Sequence, residues 1–292
     1  MDPAQPLSRR TLLAGALALP LAAACSRTAA GPGDGSPSAA PTAATTATSP
    51  AAETPSGAPA STAELASRAT VPVLCWHQLR DWRPDDGSYA RQLLICPPAQ
   101  FRAQLDALAE DGWTTIGPDQ YLAHLETGAA LPDKPVILSF DDAQGTQASE
   151  GLPQLLARKM TGTFFVMTVV LDKPDWLSHD DLRRIDAAGM TVAAHTFDHH
   201  RVDRYAGTDW ATQLDQPREL LERIVGKPVE HFAYPYGAWN EAAFPHLASA
   251  GYRTAFQLSD KPLDPGAPRQ TLRRVLMSST WTGPELLTHL RP

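Results

Sequence analysis

The sequence predicts an α/β fold with the strands closed into a barrel. Three observations carry this. Short apolar runs alternate with stretches of helical periodicity from Val71 to Met277, the pattern of parallel strands joined by helical crossovers. Seven such runs are too many for a small sheet and suit a barrel. Reactive residue types collect just after the runs, where α/β barrels place their chemistry. The alternative is a doubly wound open sheet. It lacks its usual support, because no glycine-rich phosphate loop follows the first run.

The elements follow in order. Val71–Trp76 is a buried strand. A helix from Pro98 to Asp111 carries Phe101, Leu105 and Leu108 at helical spacing and ends at Gly112. Val136–Phe140 is a strand that stops at Asp141-Asp142, and Gln147–Lys159 is helical. After the strand Thr163–Val166, Ser178-His-Asp-Asp181 reads as a capping box with Asp in the Glu/Gln place, opening a helix to Ala188. Thr191–Ala194 is a strand ending at His195. A helix covers much of Trp210–Val225, bent or restarted by Pro217. The strand His231–Tyr234, a helix over Asn240–Ala250, the strand Tyr252–Phe256 and a short strand Arg273–Met277 complete the pattern.

The N-terminus reads as an address. Ser8-Arg9-Arg10-Thr11-Leu12-Leu13 precedes an apolar stretch through Ala24, the layout of an export signal of the twin-arginine kind. Ala22-Ala23-Ala24-Cys25 looks like a lipoprotein processing site, with Leu21 one place too early; simple cleavage after Ala-x-Ala is the alternative. Residues 1–25 are therefore expected to be signal and 26–69 a disordered Ala/Thr/Ser/Pro linker. Many of the 27 prolines fall in that linker, and residues 31–59 contain no aromatic that could seed a core. Residues 70–292 form the folded domain. The expected location is the outer face of the cytoplasmic membrane, through a lipid on Cys25, or free secretion. Cys75 and Cys96 remain, and outside the cytoplasm they either pair or stay as buried thiols. A net charge of −7 argues against nucleic-acid binding. A monomer is expected.

Five special sites stand at strand ends: His77, Asp141, Asp142, His195 and the Tyr234-Pro-Tyr-Gly237 turn. One aspartate after a strand is commonly a cap or turn residue; two adjacent carboxylates crowd like charge and need another reason. His195-Thr-Phe-Asp-His199-His200 supplies imidazoles. If the segment forms one helical turn, His195 and His199 share a face, and with one carboxylate they make a three-ligand metal site with open positions. A looser loop presents His200 instead. With Asp142 as ligand, Asp141 lies beside a metal-activated water as its base. The chemistry is metal-assisted hydrolysis of an amide or ester.

At these residues the chain resembles the polysaccharide deacetylases that share the NodB homology domain, carbohydrate esterase family 4. Ser139-Phe-Asp-Asp142 is similar to the family's first motif, His195-Thr-Phe-Asp-His199 to its second, and Phe232-Ala-Tyr-Pro-Tyr-Gly237 to its third. The resemblance implies a distorted (β/α)7 barrel, metal ligands Asp142, His195 and His199, the base Asp141, and an oxyanion donor in the backbone N–H of Tyr236. It implies a divalent metal, zinc or else cobalt or nickel, and an N-acetylated polysaccharide as substrate. Val71–His77, Phe101-x-x-Gln-Leu105 and Leu131-Pro-x-Lys-Pro-Val136 resemble the branch acting on poly-N-acetylglucosamine.

The chain departs from the family at several positions. Ala143 replaces the usual glycine after the Asp pair, and Ala233 replaces the arginine that orients the base in many members. Arg273 or Arg274 is the candidate replacement for that charge. The family's late histidine, its general acid, is not evident; His289 lies outside the barrel pattern, and His77 is the candidate that protonates the leaving amine or contacts substrate. Trp76, Trp176, Tyr236 and Trp239 are candidate sugar-stacking aromatics, and Trp82 and Tyr89 lie in a polar loop, Asp81–Arg91, that overhangs the site. Other readings are an O-acetyl esterase, a tethered glycan-binding protein without turnover, and a non-haem iron oxygenase. A serine hydrolase is disfavoured because Gly-x-Ser-x-Gly does not occur.

Overall fold

The computed structural model describes residues 59–258 and 260–290. The expected signal, Cys25 and most of the expected linker lie outside them. The chain opens with α1 (Thr62–Arg68) and β1 (Val73–Trp76). Then come α2 (Pro98–Glu110), β2 (Thr114–Thr115), α3 (Pro118–Thr127), β3 (Pro135–Asp141) and α4 (Leu152–Ala157). β4 (Thr163–Val166), α5 (His179–Ala187), β5 (Thr191–Ala194), α6 (Gln216–Val225) and β6 (His231–Ala233) follow. The chain continues through α7 (Ala243–Ser249), β7 (Thr254–Phe256), β8 (Val275–Leu276) and α8 (Gly283–Leu290).

All strand pairs are parallel, in the order β7-β6-β5-β4-β3-β1-β8, with β2 beside β3 only. The segment from Leu272 to Leu276 spans the remaining gap. Leu272 bridges to Phe256 of β7, and Val275 and Leu276 pair with Leu74 and Cys75 of β1. Seven strands thus make a distorted (β/α)7 barrel, and each of the seven predicted runs contributes one.

Alternation along the strands sorts side chains into two layers. Val73, Ile137, Phe165, Ala193, Ala233, Phe256 and Leu272 form the inner cluster. Leu74, Trp76, Leu138, Phe140, Phe164, Val192 and Phe232 pack outward in the larger core. The same parity carries Cys75 and His77, Ser139 and Asp141, and His195 onto the inner side. It also corrects one expectation. Trp76 is 1% exposed, packs on Phe101 and Phe140, and donates its indole N–H to Gln104, so it is core and no sugar platform.

The expected linker ends earlier than residue 69. Ser61 and Glu64 form a capping box on α1, and Leu65 joins the inner cluster beside Tyr121 and Leu125 of α3. These two helices cover the end of the barrel opposite the reactive strand ends. α3 itself and β2 escaped the sequence reading. Pro217 restarts a helix as expected, after a wide turn over Ala211–Asp215. Ser178 and Asp181 make the expected capping box. Cys75 and Cys96 are separate buried thiols. Among the described residues, no helix is long and apolar enough to cross a membrane.

Candidate active site

β3 delivers two carboxylates to different places. Asp141, the last residue on the inner face, is buried. Asp142 follows with φ +75° and Ala143 with φ +65°. This left-handed step turns the second carboxylate away from the first, and Ala143 takes it without the freedom of glycine.

β5 ends at His195. The expected helical turn from His195 to His199 is not formed; the segment is a bend with positive φ at Thr196 and His199. Its hydrogen bonds explain the shape. The His199 N–H donates to Thr196 Oγ1 at 3.0 Å. The Gln213 carboxamide accepts from the N–H groups of Phe197 and Asp198 and donates to Asp198 Oδ1. Short polar side chains compete with helix in this way. The bend still brings the two imidazoles together, with ring centroids 4.9 Å apart. His200 turns outward, 76% exposed, onto Asp198 at 2.9 Å.

Ligand atoms of Asp142, His195 and His199 lie within 4.8 Å of one another. Asp142 Oδ1 is 3.2 Å from His199 Nε2 and 3.5 Å from His195 Nε2, yet it is buried and has no hydrogen-bond partner among the described residues. His195 Nδ1 meets the Ala233 carbonyl at 2.8 Å. That bond places the proton on Nδ1 and leaves Nε2 with a lone pair facing Asp142. A carboxylate and two imidazoles around an unsatisfied buried oxygen fit a divalent cation. Burial opposes charge on Asp142, but the two imidazoles outweigh it and hold the carboxyl well below its usual range. Burial likewise opposes charge on His195, and Asp141 and Asp142 overcome it and raise that pKa. A proton and a cation therefore compete for the same nitrogen.

Asp141 has a dedicated partner. Arg274 donates to Asp141 Oδ1 at 2.6 Å and to Oδ2 at 2.8 Å. Its guanidinium lies 5.1 Å from the Phe165 ring centre, and its Nε reaches the Gln257 carbonyl at 3.3 Å. Burial pushes the Asp141 carboxyl up, but Arg274 and then His195 outweigh it and lower it to about 2. The bridge of Leu272 to β7 and of Val275 to β1 decides which arginine enters: Arg274 is buried in the barrel and Arg273 is exposed. Gln147, which the sequence did not mark, ties the strand ends by donating to the carbonyls of His77 and Asp141.

His77 Nδ1 is buried without a hydrogen-bond partner among the described residues, and a ring nitrogen lies within 4.8 Å of both the Asp141 carboxylate and Cys75 Sγ. Burial lowers its pKa, against the pull of Asp142 and Asp141. This second cluster differs from the first: its carboxylate is occupied by Arg274, and burial pushes the Cys75 thiol well above its ordinary value. Tyr236, at φ +59° in the turn after β6, is 60% exposed and packs edge-on to His199, centroids 4.5 Å apart.

Residues 128–255 match the family described as polysaccharide deacetylase. That stretch holds Asp141, Asp142, His195, His199 and the Tyr234–Gly237 turn. A Staphylococcus aureus poly-beta-1,6-N-acetyl-D-glucosamine N-deacetylase is 24% identical over 194 residues, covering 62% of this chain and 67% of its own. The Streptococcus pyogenes deacetylase PplD superposes with a TM-score of 0.70 at 20% identity, over 76% of this chain and 98% of its own. IcaB from Ammonifex degensii superposes at 0.64 with 25% identity, over 76% and 97%.

Proposed function

We propose that the protein removes N-acetyl groups from an N-acetylglucosamine-containing polysaccharide outside the cytoplasm, using a divalent cation held by Asp142, His195 and His199. The observation that carries this is the buried, unpartnered Asp142 Oδ1 between two imidazole nitrogens. Substrate class follows the N-deacetylase names of the relatives. Export, lipid anchoring at Cys25 and the monomeric state rest on the sequence. Zinc suits the donor set, with cobalt and nickel as substitutes. Once bound, the cation supplies Lewis acidity toward an amide carbonyl and a water.

Asp141 is the base in this reading. Its negative charge is fixed by Arg274 at any pH above about 2, and one oxygen lies 3.7 Å from His195 Nε2, at the edge of the ligand set. The Tyr236 backbone N–H, beside His199 in the turn, serves the developing oxyanion. His77 is the remaining imidazole at the mouth. Neutral at rest because burial opposes its charge, and with a ring nitrogen within 4.8 Å of the Asp141 carboxylate, it passes to the leaving amine the proton that Asp141 takes from the water.

An acetate-release screen with poly-N-acetylglucosamine, peptidoglycan and chitin fragments, repeated with zinc, cobalt and nickel, tests the reading. Acetylated xylan separates an O-acetyl esterase from it. Asp141→Asn should keep the metal and lose about 100- to 10,000-fold in kcat; full activity in that variant sinks the base assignment. Acetate release that persists in excess chelator sinks the metal.

A further inference from the structure

We infer that the cavity walled by the loops after β1, β3 and β4 is a binding subsite for a sugar next to the one being deacetylated, with Trp176 as its stacking platform. The cavity measures about 390 Å³, and Gln78, Arg83, Gln144, Thr146, Ser149 and Trp176 are among its walls. This inference rests on the deacetylase reading and adds where the chain of the substrate lies.

Position comes first. Gln78 directly follows His77, and Gln144 stands two residues after Asp142. The cavity is therefore built from segments that leave the site on its β1–β3 side. A second hollow, of about 380 Å³, is lined by His199, Arg204, Tyr205 and Tyr236 and lies on the β5–β6 side. The Asp142, His195 and His199 cluster stands between the two in strand order. A linear polymer with its acetamide at the cluster has room for neighbouring sugars on both sides.

Chemistry comes second. A half-buried indole beside carboxamides and hydroxyls is how proteins hold a neutral sugar: the ring covers the apolar face and the amides reach the hydroxyls. Gln78 Oε1 accepts from Arg80 Nε at 2.8 Å, which leaves its Nε2 without a partner among the described residues. Gln144 makes no side-chain hydrogen bond there. Arg80 is neutralised by bidentate bonds to Asp86 at 2.7 and 2.8 Å. Arg83 and Asp175 add one charge of each sign to the cavity wall, so the wall carries no net charge.

Rigidity comes third. The Trp176 segment is stitched to the Asp142 loop. Gln144 bridges Trp176, the Gly145 N–H donates to the Asp175 carbonyl at 2.8 Å, and the Leu177 N–H donates to the Ala143 carbonyl at 2.9 Å. A Cβ on Gly145 would meet the Asp175 carbonyl oxygen at 3.0 Å, so glycine permits the close approach. The indole is thus fixed relative to the carboxylate pair, and binding costs little ordering.

The test is calorimetric titration of the metal-loaded full chain with N-acetylglucosamine and with its β-1,6-linked pentamer. The pentamer should bind tighter than the single sugar. Trp176→Ala should remove about tenfold of that preference, and Trp176→Tyr should restore most of it. Gln144→Ala, which lacks the core packing of Trp176, should also weaken the pentamer selectively. Unchanged pentamer affinity in both alanine variants overturns the subsite, as does equal loss for the single sugar and the pentamer. If the wild type shows the length preference and its Trp176 dependence but releases no acetate, the deacetylase reading falls and the subsite stands.

Discussion

Replacing Arg274 with Met keeps the side-chain volume near that of the original while removing the charge opposite Asp141. The pair is buried, with side-chain exposures of 0% and 3%, and bidentate at 2.6 and 2.8 Å. Taking one partner from such a pair leaves an uncompensated buried charge and costs about 3–5 kcal/mol. The carboxyl's own titration gives a consistent lower figure. Moving it from the ordinary 3.8 to about 2 stabilises the native state by about 2 kcal/mol. Because the folded value is depressed, that contribution is complete above about pH 4 and is lost as pH falls through about 2. In Arg274→Met the sign reverses. Burial acts unopposed by the guanidinium, the carboxyl rises above its unfolded value, and the penalty is full at neutral pH and fades as acid protonates Asp141. Urea unfolding at pH 7 and pH 4.5 measures this. The expected deficit is about 3 kcal/mol or more at the higher pH and clearly smaller at the lower. The acid limb of kcat against pH should move upward in the same variant, because the base is neutral over a wider range. A deficit below about 1 kcal/mol, or the same deficit at both pH values, would mean that Arg274 does not hold the Asp141 charge.

Three further outcomes are expected. His199→Ala should weaken metal binding more than about 100-fold, a larger loss than an outer partner causes, whereas His200→Ala should leave the purified metal content intact; metal analysis after dialysis compares them. His77→Gln should slow release of acetate from an amide at least about 100-fold, and far less from an aryl ester whose leaving group needs no proton; equal slowing of both dismisses the proton-donor role. Denatured protein should titrate the Cys75 and Cys96 thiols equally with and without prior reductant, and thermal stability should not depend on reductant; a reductant-dependent thiol count contradicts the separate thiols.

Much of the fold was legible because its strands are apolar runs between polar turns. Val136–Phe140 and Thr163–Val166 could hardly be anything else once helices were seen on either side. α1 was hidden by its setting: Thr62–Arg68 follows a long Ala/Thr/Ser/Pro tract, and its single buried leucine gives no periodicity. β2 is two residues long, below what any pattern registers. The His195–His199 segment shows the limit at the site. Spacing alone suggested a helical turn, and the side chain that shapes the loop, Gln213, arrives from a different part of the chain.

Strand alternation and motif spacing are local properties, so the residues at strand ends could be read from the order of amino acids alone. That order therefore nominated Asp141, Asp142, His195 and His199, and it narrowed the missing charge to two adjacent arginines. Tertiary structure alone decided the rest. Parity along β1 sent Trp76 outward and Cys75 inward. A bend rather than a helix brought His199 beside Asp142 and turned His200 outward onto Asp198. The register of β8 against β1 buried Arg274 and exposed Arg273. Each choice depends on which partner approaches from a distant segment, and one residue of slip in a strand exchanges its inner and outer faces.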